Sequence, residues 1–443
     1  MTVSNGTAAA RPWRNWGGTA QCTPTAVESP GSADDIADLV GRAVQANSTV
    51  KAVGAGHSFS PIALAPATQL DMSQLQGLIG VDEAARRVTL RAGTRLYEIP
   101  DLLGAHGLAM ANLGDVDRQT ISGATSTGTH GTGLDFGGLS TQIVGATLVS
   151  GTGEIVTVAE DDPRLAAVAL GLGALGILVD LTIQCVPVFS IRADEYPLDA
   201  DDAIDGFTER VATQDHHEFY WFPHTRCALG KTNTRLEGLA TPSGAGRVRR
   251  YVDDEILANR VYRVLCALGS RVPAAVPTIS QVSGRVLSAR TYTERSDRVF
   301  ISSRTVRFRE MEYAVPLEAT PSALRELRQM IERKRYRISF PVEVRAAAGD
   351  DLMLSTASGG PRGYIAVHRY HHDDPTDAAA YFADAEAIMT DHGGRPHWGK
   401  MHTRDAEYLR SVYPRFDEFR AVRDQFDPNR VFANPYLEQV LGS

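Results

Sequence analysis

The sequence has few of the features that mark secreted or membrane-spanning proteins. Only four cysteines occur among 443 residues, and they lie too far apart to suggest a disulfide framework, so we expect a reducing compartment. The longest uncharged apolar run covers 15 residues between Arg164 and Asp180, shorter than the ~18–20 that a membrane-spanning helix needs. The first residues contain no apolar stretch of the kind found in signal peptides. We therefore expect a cytoplasmic protein without a transmembrane segment, and we leave peripheral attachment to a membrane open.

An excess of positive charge is also missing. The chain has 45 Lys and Arg residues against 53 Asp and Glu residues, which gives a formal net charge of −8. Nucleic-acid-binding proteins usually carry a basic footprint, so we expect no nucleic-acid partner. Hydrophobic residues make up 43% and charged residues 22%, which are ordinary proportions for a globular protein. This length predicts two or three domains, and the denser aromatic and charged residues after Pro187 place a boundary near residue 190.

Glycine-rich segments are what the sequence does have, and one of them matches a dinucleotide-binding motif by its letters. Gly171–Gly176 reads G-L-G-A-L-G, the G-x-G-x-x-G pattern of a Rossmann fold. That motif needs a strand before it and a helix after it, so that the pyrophosphate meets the helix N-terminus. The surrounding pattern predicts the reverse order, with a helix over Asp162–Leu170 and a strand over Ile177–Val186. We therefore reject a Rossmann site and keep only a glycine-lined surface.

Two other segments of small residues are candidates for binding an anion. Gly54–Ser60 follows a predicted strand, and its small residues let backbone N–H groups converge, although a tight turn with an exposed His57 is an equal alternative. Ser122–Gly133 alternates hydroxyls with glycines, which suits a pyrophosphate with several acceptor oxygens. Asn112–Gly133 as a whole has little apolar content and predicts a long ordered loop. We favour a binding loop over a flexible linker because the segment lies between two folded stretches.

Six short motifs follow one another over nearly the whole chain. They are V-G-A-G-H-S-F (Val53–Phe59), N-L-G-D-V-D (Asn112–Asp117), G-A-T-S-T-G-T-H-G-T-G (Gly123–Gly133), L-G-A-L-G-I (Leu172–Ile177), P-V-E-V-R (Pro341–Arg345) and R-P-H-W-G-K (Arg395–Lys400). Their combination and order resemble the vanillyl-alcohol-oxidase-type flavoenzymes, and within them the aldonolactone oxidoreductase branch. Alditol oxidases are more distant members of the same group.

This resemblance implies an α+β fold, with an FAD-binding domain of two subdomains and a cap domain that contains a large antiparallel sheet. The expected limits are 15–190 for the FAD-binding domain, 191–400 for the cap or substrate domain, and 401–443 for a helical segment that returns to the FAD-binding domain. FAD is the implied cofactor. The residues implied to contact it are Val53, Gly54, Ala55, Gly56, His57, Ser58, Gly114, Asp115, Ser122, Gly123, Ala124, Thr125, Ser126, Thr127, Gly128, Thr129, His130, Gly176 and Ile177.

His57 has a special role in the family that the chain resembles. There, the histidine of the G-x-G-H-S turn carries the flavin covalently through the flavin's 8α-methyl group, and members without this histidine bind FAD noncovalently. The resemblance therefore implies an 8α-histidyl link at His57. Such a link raises the flavin potential, which favours the oxidation of unactivated alcohols.

Three polar residues fit the oxidation of an alcohol by a flavin, which takes a hydride at N5 and needs the hydroxyl proton to be removed. Glu343 and Arg345 alternate on a predicted strand, so both project from one face and could orient a lactone's hydroxyl and carbonyl groups. Without the resemblance, a surface ion pair is the simpler interpretation. The resemblance puts both in front of the flavin and gives Lys400 a role in binding substrate or stabilising the reduced flavin. Glu343 is a candidate proton acceptor, and His368 could also face the flavin.

The resemblance implies that the substrate is a gulono-, galactono- or arabinono-1,4-lactone, oxidised at a secondary alcohol to an ascorbate-like product. In the family that the chain resembles, the residue at the position of Gly114 controls the access of oxygen to the flavin: alanine hinders access and glycine opens a path. Gly114 therefore indicates an oxidase. Asp115 stands where alditol oxidases tend to have serine, which favours a lactone. An alditol oxidase that forms an aldose and hydrogen peroxide is the second hypothesis. Oxygen, a quinone or an electron-acceptor protein are all open as the oxidant.

Two further classes of protein are compatible with parts of the sequence. Several histidines could indicate a metal hydrolase, but the sequence has neither H-E-x-x-H spacing nor a cysteine pair, so we expect no metal. These histidines are His368, His371, His372, His392, His397 and His402. A noncatalytic sugar-binding protein could keep the same fold. Colour separates these classes, because a flavoenzyme is yellow.

Overall fold

The structure, a computed structural model, describes residues 11–243, 262–285, 288–302 and 306–442. The first part of the chain forms a small parallel sheet and one helix. Its elements are β1 (Trp13–Arg14), β2 (Gln21–Cys22), β3 (Ala26–Glu28), α1 (Ala33–Gln45), β4 (Val50–Val53) and β5 (Thr68–Asp71). The sheet has the strand order β3–β5–β4. Helix α1 begins after Ser32, whose side chain accepts a hydrogen bond from the N–H of Asp35, as the capping pattern predicts.

A five-stranded antiparallel sheet with the order β10–β9–β11–β7–β6 follows in the chain. The elements of this part are β6 (Leu78–Asp82), β7 (Arg87–Arg91), α2 (Ile99–Gly104), β8 (Leu108–Ala109), α3 (Ile121–Ser126), β9 (Ile143–Ser150), β10 (Ile155–Val158), α4 (Leu165–Val168), β11 (Gly176–Gln184) and β12 (Val186–Pro187). Helix α4 precedes the segment Gly171–Gly176, and β11 begins at its end. The reversed order that excluded a Rossmann site is therefore confirmed.

Helix α3 lies inside the segment that the sequence predicts to be a loop. Thr120 caps this helix, because its Oγ1 accepts a hydrogen bond from the N–H of Gly123 at 3.1 Å. Ile121 and Ala124 are fully buried in the core, so two apolar residues at helical spacing are enough to dock the turn. The prediction of a loop was wrong at this point, since short polar helices give almost no periodic signal.

The second half of the chain builds an eight-stranded antiparallel sheet with the order β16–β13–β15–β14–β18–β19–β17–β20. Its elements are β13 (Ser190–Asp199), α5 (Ala200–Asp205), α6 (Phe207–Thr213), β14 (His216–Trp221), β15 (Cys227–Leu236), α7 (Tyr262–Arg271), α8 (Val276–Arg285), β16 (Arg290–Arg295), α9 (Ser296–Phe300), β17 (Phe308–Pro316), α10 (Thr320–Lys334), β18 (Val342–Ala347), β19 (Arg362–Tyr370), α11 (Pro375–Asp391) and β20 (Arg395–Pro396). Helices α10 and α11 contribute to one apolar core with this sheet. The expected α+β fold with a large antiparallel sheet is confirmed.

The register of this sheet aligns charged residues of alternating sign across five strands. Arg290 on β16 lies opposite Glu195 on β13, which lies opposite Lys231 on β15, which lies opposite Glu218 on β14. Arg345 on β18 completes the row by donating from Nε to Glu218 at 2.8 Å. Residues opposite one another in a sheet project from the same face, so the five form a continuous charged row. We call this row the charge ladder.

A second row on the same face brings acidic residues of distant segments together. Ala366 on β19 lies opposite Glu343 on β18 and also opposite Glu312 on β17. Two positions along, Glu310 lies opposite His368. Because alanine is small, it leaves open space between the two carboxylates.

The final helices return to the first half of the molecule. They are α12 (Ala406–Val412), α13 (Phe416–Phe426) and α14 (Pro435–Leu441). The backbone N–H of Val50 donates to the carbonyl of Val431, and Nδ2 of Asn434 donates to the carbonyl of Ile62. These contacts support the predicted return of 401–443, and the exact limits 15–190 and 191–400 stay predictions. No helix in the described ranges is both long and apolar enough to cross a lipid bilayer.

Candidate active site

A cavity of about 110 Å³ lies against the turn formed by residues 54–58. Gly54 is needed there, because a Cβ at this position would lie 2.6 Å from Oγ1 of Thr120. Gly56 has a φ of +68°, a region that favours glycine. Residues of α3 and the start of β11 complete the lining of the cavity. The turn therefore offers a narrow space bordered by backbone groups, as phosphate-binding loops do.

Lys51 joins this cavity to the end of the chain. Its Nζ donates to the carbonyl oxygens of Gly173 at 2.9 Å and Phe432 at 3.3 Å. Burial and the nearby positive charge of Arg423 lower the pKa of Lys51 to about 7. The lysine lines the cavity and holds the glycine segment and the C-terminal segment together.

A larger cavity of about 490 Å³ adjoins the smaller one. Four residues line both: His57, Ser58, Gln119 and Thr127. An elongated ligand can therefore extend from one cavity into the other past His57. Dinucleotides have this shape, with a phosphate-rich middle and a ring system at each end.

His57 lies in an environment that keeps its imidazole neutral. Its ring is stacked on Trp16, with ring centroids 5.8 Å apart. Burial, together with the positive charges of Arg95, Arg118 and Lys400, lowers the pKa of His57 to about 4. A neutral imidazole retains a lone pair and can act as a nucleophile at physiological pH.

One wall of the larger cavity carries the predicted pair Glu343 and Arg345. The two side chains form a buried ion pair through Nη2 of Arg345, and the expectation that both project from one face of a strand is confirmed. Nη2 also lies 3.6 Å from Oδ2 of Asp115. Behind the cavity, Glu218 accepts from Arg345 and lies 3.4 Å from Nζ of Lys231. The guanidinium is therefore held in place by carboxylates on three sides.

Lys400 and two glutamates of β17 line another part of the cavity. Nζ of Lys400 lies 2.6 Å from Glu310 and 4.0 Å from Glu312. Burial alone would lower the pKa of Lys400, but the two carboxylates raise it, so the ammonium stays charged. Burial would raise the pKa of Glu310, but the positive charge of Lys400 lowers it to about 2.

Most of the residues implied to bind FAD or substrate line one of the two cavities. The smaller cavity is lined by Gly54, Ala55, Gly56, His57, Ser58, Ser122, Gly123, Ser126, Thr127, Gly176 and Ile177, and the larger adds Gly114, Asp115, Thr129, His130, Glu343, Arg345 and Lys400. Four lie outside both linings: Val53, Ala124, Thr125 and Gly128. Ala124 and Thr125 have no exposed surface because they form the inner face of α3. The roles of all these residues stay predictions.

Several residues at the site escaped sequence reasoning. Glu310 and Glu312 had a usable signal, since they alternate on a strand as Glu343 and Arg345 do. Others that line the larger cavity, or that support it from behind, gave no local signal: Trp16, Gln119, Phe308, Glu218 and Lys231. His397 stands in the motif Arg395–Lys400, but sequence reasoning gave it no role at this cavity. They come together only through the register of the large sheet and the long return of the chain.

Two comparisons identify the class of protein to which this fold and these joined cavities belong. Residues 24–159 match the family model described as an FAD binding domain. A crystal structure of cholesterol oxidase from B. sterolicum superposes with a TM-score of 0.82 over 100% of this chain and 99% of that one, at 20% identity. The turn 54–58 lines the smaller cavity with small residues, and Gly56 has a positive φ, which fits a bound pyrophosphate. The fold is that of FAD-dependent oxidoreductases of the vanillyl-alcohol-oxidase type.

The particular family follows from the second half of the chain and from full-length relatives. Residues 181–440 match the family model described as D-arabinono-1,4-lactone oxidase. The L-gulono-1,4-lactone dehydrogenase of Mycobacterium tuberculosis is 39% identical over 430 residues, which cover 97% of this chain and 99% of that protein. The L-gulonolactone oxidase of Scyliorhinus torazame is 31% identical over 439 residues, covering 97% and 98%. The chain belongs to this family of aldonolactone oxidoreductases.

Proposed function

We propose that the protein oxidises the secondary alcohol beside the carbonyl of a 1,4-aldonolactone, of the gulono, galactono or arabinono type, to an ascorbate-like ene-diol. The observation that carries this proposal is the buried pair Glu343 and Arg345 on the wall of the cavity that His57 borders. A lactone is neutral, so it is recognised by paired donors and acceptors. Arg345 supplies donors for the carbonyl oxygen, and Glu343 supplies acceptors for hydroxyl groups. The relatives named for gulonolactone support the same class of substrate.

FAD is held by the two joined cavities in this proposal. The turn 54–58 and the segment Ser122–Gly133 hold the pyrophosphate, and residues at Gly176 and Ile177 border the same space. Bound FAD supplies the hydride acceptor for the reaction. Lys400 places a partly buried positive charge on the wall of the larger cavity, where it favours negative charge that develops on substrate or cofactor.

The covalent link at His57 is a separate part of the proposal. Its support is the neutral imidazole at the junction of the two cavities, where a bond to the flavin's 8α-methyl group can form. After acid precipitation of the protein, the yellow colour should stay in the pellet, and the His57→Ala variant should release it. His224→Ala is the matched control, because burial lowers the pKa of His224 to about 4 as well, yet it lines neither cavity. Colour in the wild-type supernatant would contradict the link.

The oxidant and the compartment are the least constrained parts of the proposal. Gly114 lines the larger cavity without a side chain, which supports access of oxygen. The name of the Mycobacterium tuberculosis relative, a dehydrogenase, supports a quinone or an electron-acceptor protein instead. We propose a cytoplasmic location, supported by the four cysteines being free. The rate of reoxidation in air, compared with the rate with a quinone, decides between the oxidants.

Replacing the two wall residues tests the assignment of the substrate site. Glu343→Gln and Arg345→Lys should each raise KM for the lactone roughly 10–100-fold, because each loses a charge-assisted hydrogen bond to substrate. Glu195→Gln is the matched control, since it breaks another ion pair of the charge ladder outside the cavity. KM in the control should stay within about twofold. Equal effects in all three variants would assign Glu343 and Arg345 a structural role only.

A further inference from the structure

Strand β17 carries two glutamates, and each faces the Nε2 atom of a buried histidine. Oε1 of Glu310 lies 3.4 Å from Nε2 of His368, and Oε1 of Glu312 lies 3.3 Å from Nε2 of His130. All four residues are at most 6% exposed. Two Glu–His pairs are therefore enclosed side by side under the larger cavity.

The other ring nitrogen of each histidine is already engaged. Nδ1 of His368 lies 3.1 Å from the carbonyl oxygen of Pro341, and Nδ1 of His130 lies 2.8 Å from that of Gly131. A carbonyl oxygen only accepts hydrogen bonds, so Nδ1 carries a hydrogen in both rings. In a neutral ring, Nε2 then presents a lone pair to a carboxylate oxygen, which is repulsive. Each pair consequently has a place for one proton between its facing atoms.

Charge balance distinguishes the two pairs. Lys400 lies much closer to Glu310 than to Glu312 and neutralises the former. Glu312 interacts chiefly with His130, and this interaction lowers the pKa of Glu312 well below its usual range, although burial would raise it. Because Lys400 balances the charge of Glu310, Nε2 of His368 is available to accept a proton. Within the described ranges, Nε2 of His368 has no hydrogen-bond partner.

We propose that Glu310 and His368 together receive the proton that leaves the substrate hydroxyl, a step that rests on the proposed function. Glu310 lines the larger cavity, whereas His368 lies behind it. As the carbinol C–H bond breaks and its electron pair passes to FAD, the O–H pair forms the C=O bond. The released proton passes to Glu310 and then to the lone pair on Nε2 of His368. Glu310 thus returns to the carboxylate form that Lys400 stabilises.

Glu343 is less suited to this task, although its position predicts it as a candidate. Its carboxylate accepts a hydrogen bond from the guanidinium of Arg345, which cannot be deprotonated in proteins. Protonating either glutamate would remove a counter-charge from a cation, but Glu310 faces Nε2 of His368, to which it can pass the proton on. Glu343 therefore orients substrate, while the proton moves to the other side of the cavity.

The surroundings of His368 suit a site that keeps a proton away from water. The rings of Phe308 and Phe340 lie against it, with centroid distances of 5.1 and 6.0 Å. Among the described residues, the charged and titratable groups near the pair are Lys400, His397 and Glu312, which lies two residues along β17. These rings cover part of His368, while its Nε2 faces Glu310 on the cavity wall.

A bound divalent cation is the alternative use of these groups. His130, Glu312 and His397 bring one potential ligand atom each within 4.8 Å of one another. However, Nδ1 of His397 accepts a hydrogen bond from the N–H of Gly399, so its Nε2 carries the hydrogen and is not free to bind a metal. We therefore favour a role in proton transfer over a bound metal. One equivalent of zinc, or of another divalent metal, in the purified protein would overturn the proposal.

His368→Asn tests the proposal, because the Asn amide can still donate to the carbonyl of Pro341 but cannot accept the proton. Because His368 acts through Glu310, the test needs a pH profile as well as a rate. In anaerobic single turnovers, the rate of flavin reduction in the wild type should decrease as the pH falls. In His368→Asn this rate should be at least 100-fold lower and should not decrease further as the pH falls. His217→Asn, at another buried histidine, is the control and should keep the wild-type profile. An unchanged rate and profile in His368→Asn would overturn the proposal.

A second measurement does not depend on turnover. In substrate-free protein labelled with ¹⁵N-histidine, two-bond ¹H–¹⁵N spectra at pH 7.5 should show His368 as the Nδ1–H tautomer, with a separate signal for His130. The variants His368→Asn and His130→Asn assign the two signals. An Nε2–H tautomer or an imidazolium at His368 would refute the relay, even if lactones are oxidised. Failure of every lactone to reduce the flavin would instead refute the proposed function and leave the tautomer result standing.

Discussion

Replacing Glu218 with glutamine should uncouple the charge ladder from the substrate site. Glu218 is buried between Arg345, which donates to it at 2.8 Å, and Lys231, whose Nζ lies 3.4 Å away. Burial would raise the pKa of Glu218, but the two positive charges lower it from 4.5 to about 2. Glutamine keeps an acceptor for Arg345 and removes the negative charge, so a buried lysine loses its nearest counter-ion.

The size of the effect follows from the lowered pKa of Glu218. A shift from 4.5 to about 2 corresponds to roughly 3 kcal/mol of stabilisation at pH 7, which agrees with the ~3–5 kcal/mol lost when one partner of a buried pair is removed. Because the folded-state pKa is the lower one, this stabilisation is present above pH 4.5 and is lost as the pH falls toward 2. We expect KM for the lactone to rise about tenfold, since Arg345 loses a charged support.

A double-mutant cycle with Lys231→Met provides the decisive comparison. Urea unfolding of the FAD-loaded protein at pH 7 should show Glu218→Gln to be less stable than wild type by about 3 kcal/mol. The double variant should recover at least half of this loss, because no unpaired ammonium is then buried. Additive losses in the double variant would refute the account of the ladder as an electrostatic unit.

Three further predictions concern other parts of the structure. Gly114→Ala should slow reoxidation of the flavin by oxygen severalfold and leave its anaerobic reduction by substrate unchanged. The reason is that the new Cβ would lie 3.1 Å from the carbonyl oxygen of His130. An unchanged rate of reoxidation in stopped flow would contradict this prediction. Lys51→Met should lower the free energy of unfolding by about 1–3 kcal/mol in urea, because two buried carbonyl oxygens lose their donor, and an unchanged midpoint would count against it. His216, whose pKa burial lowers to about 4, binds a proton only in the unfolded state between pH 6.5 and 4, so stability falls as the pH falls through this range. Between pH 7.5 and 5, the free energy of unfolding of His216→Phe should fall by about 2 kcal/mol less than that of the wild type. Chemical denaturation at the two pH values measures this difference. An identical fall in both proteins would disprove the assignment.

Local elements with a strong period were predictable from the sequence. The hairpin over β9 and β10 follows from a local pattern, because apolar residues flank a Ser-Gly-Thr-Gly turn. Helix α1 begins after Ser32, whose side chain caps it, and serine is typical of this position. The helix–strand order around Gly171–Gly176 also followed from the pattern and excluded the Rossmann interpretation. Helix α3 was missed, since its six residues offer only Ile121 and Ala124 as an apolar pattern.

The site was predictable only where its residues share one strand or one turn. Glu343 and Arg345 alternate on β18, so sequence spacing alone puts them on one face. Glu218 and Lys231 reach Arg345 through the register of three neighbouring strands, which depends on the packing of the whole sheet. Their contribution is a property of tertiary structure, and no spacing along the chain could reveal it.

The claim that the protein oxidises aldonolactones is tested most directly by reducing its flavin without oxygen. The purified protein is mixed anaerobically with gulono-, galactono- and arabinono-1,4-lactones and with alditols, and the flavin absorbance is followed before and after air is admitted. We predict rapid bleaching by at least one lactone and much slower bleaching by alditols. Return of the colour in air identifies an oxidase, and its absence identifies a dehydrogenase. No bleaching by any lactone, or bleaching by alditols alone, would contradict the account.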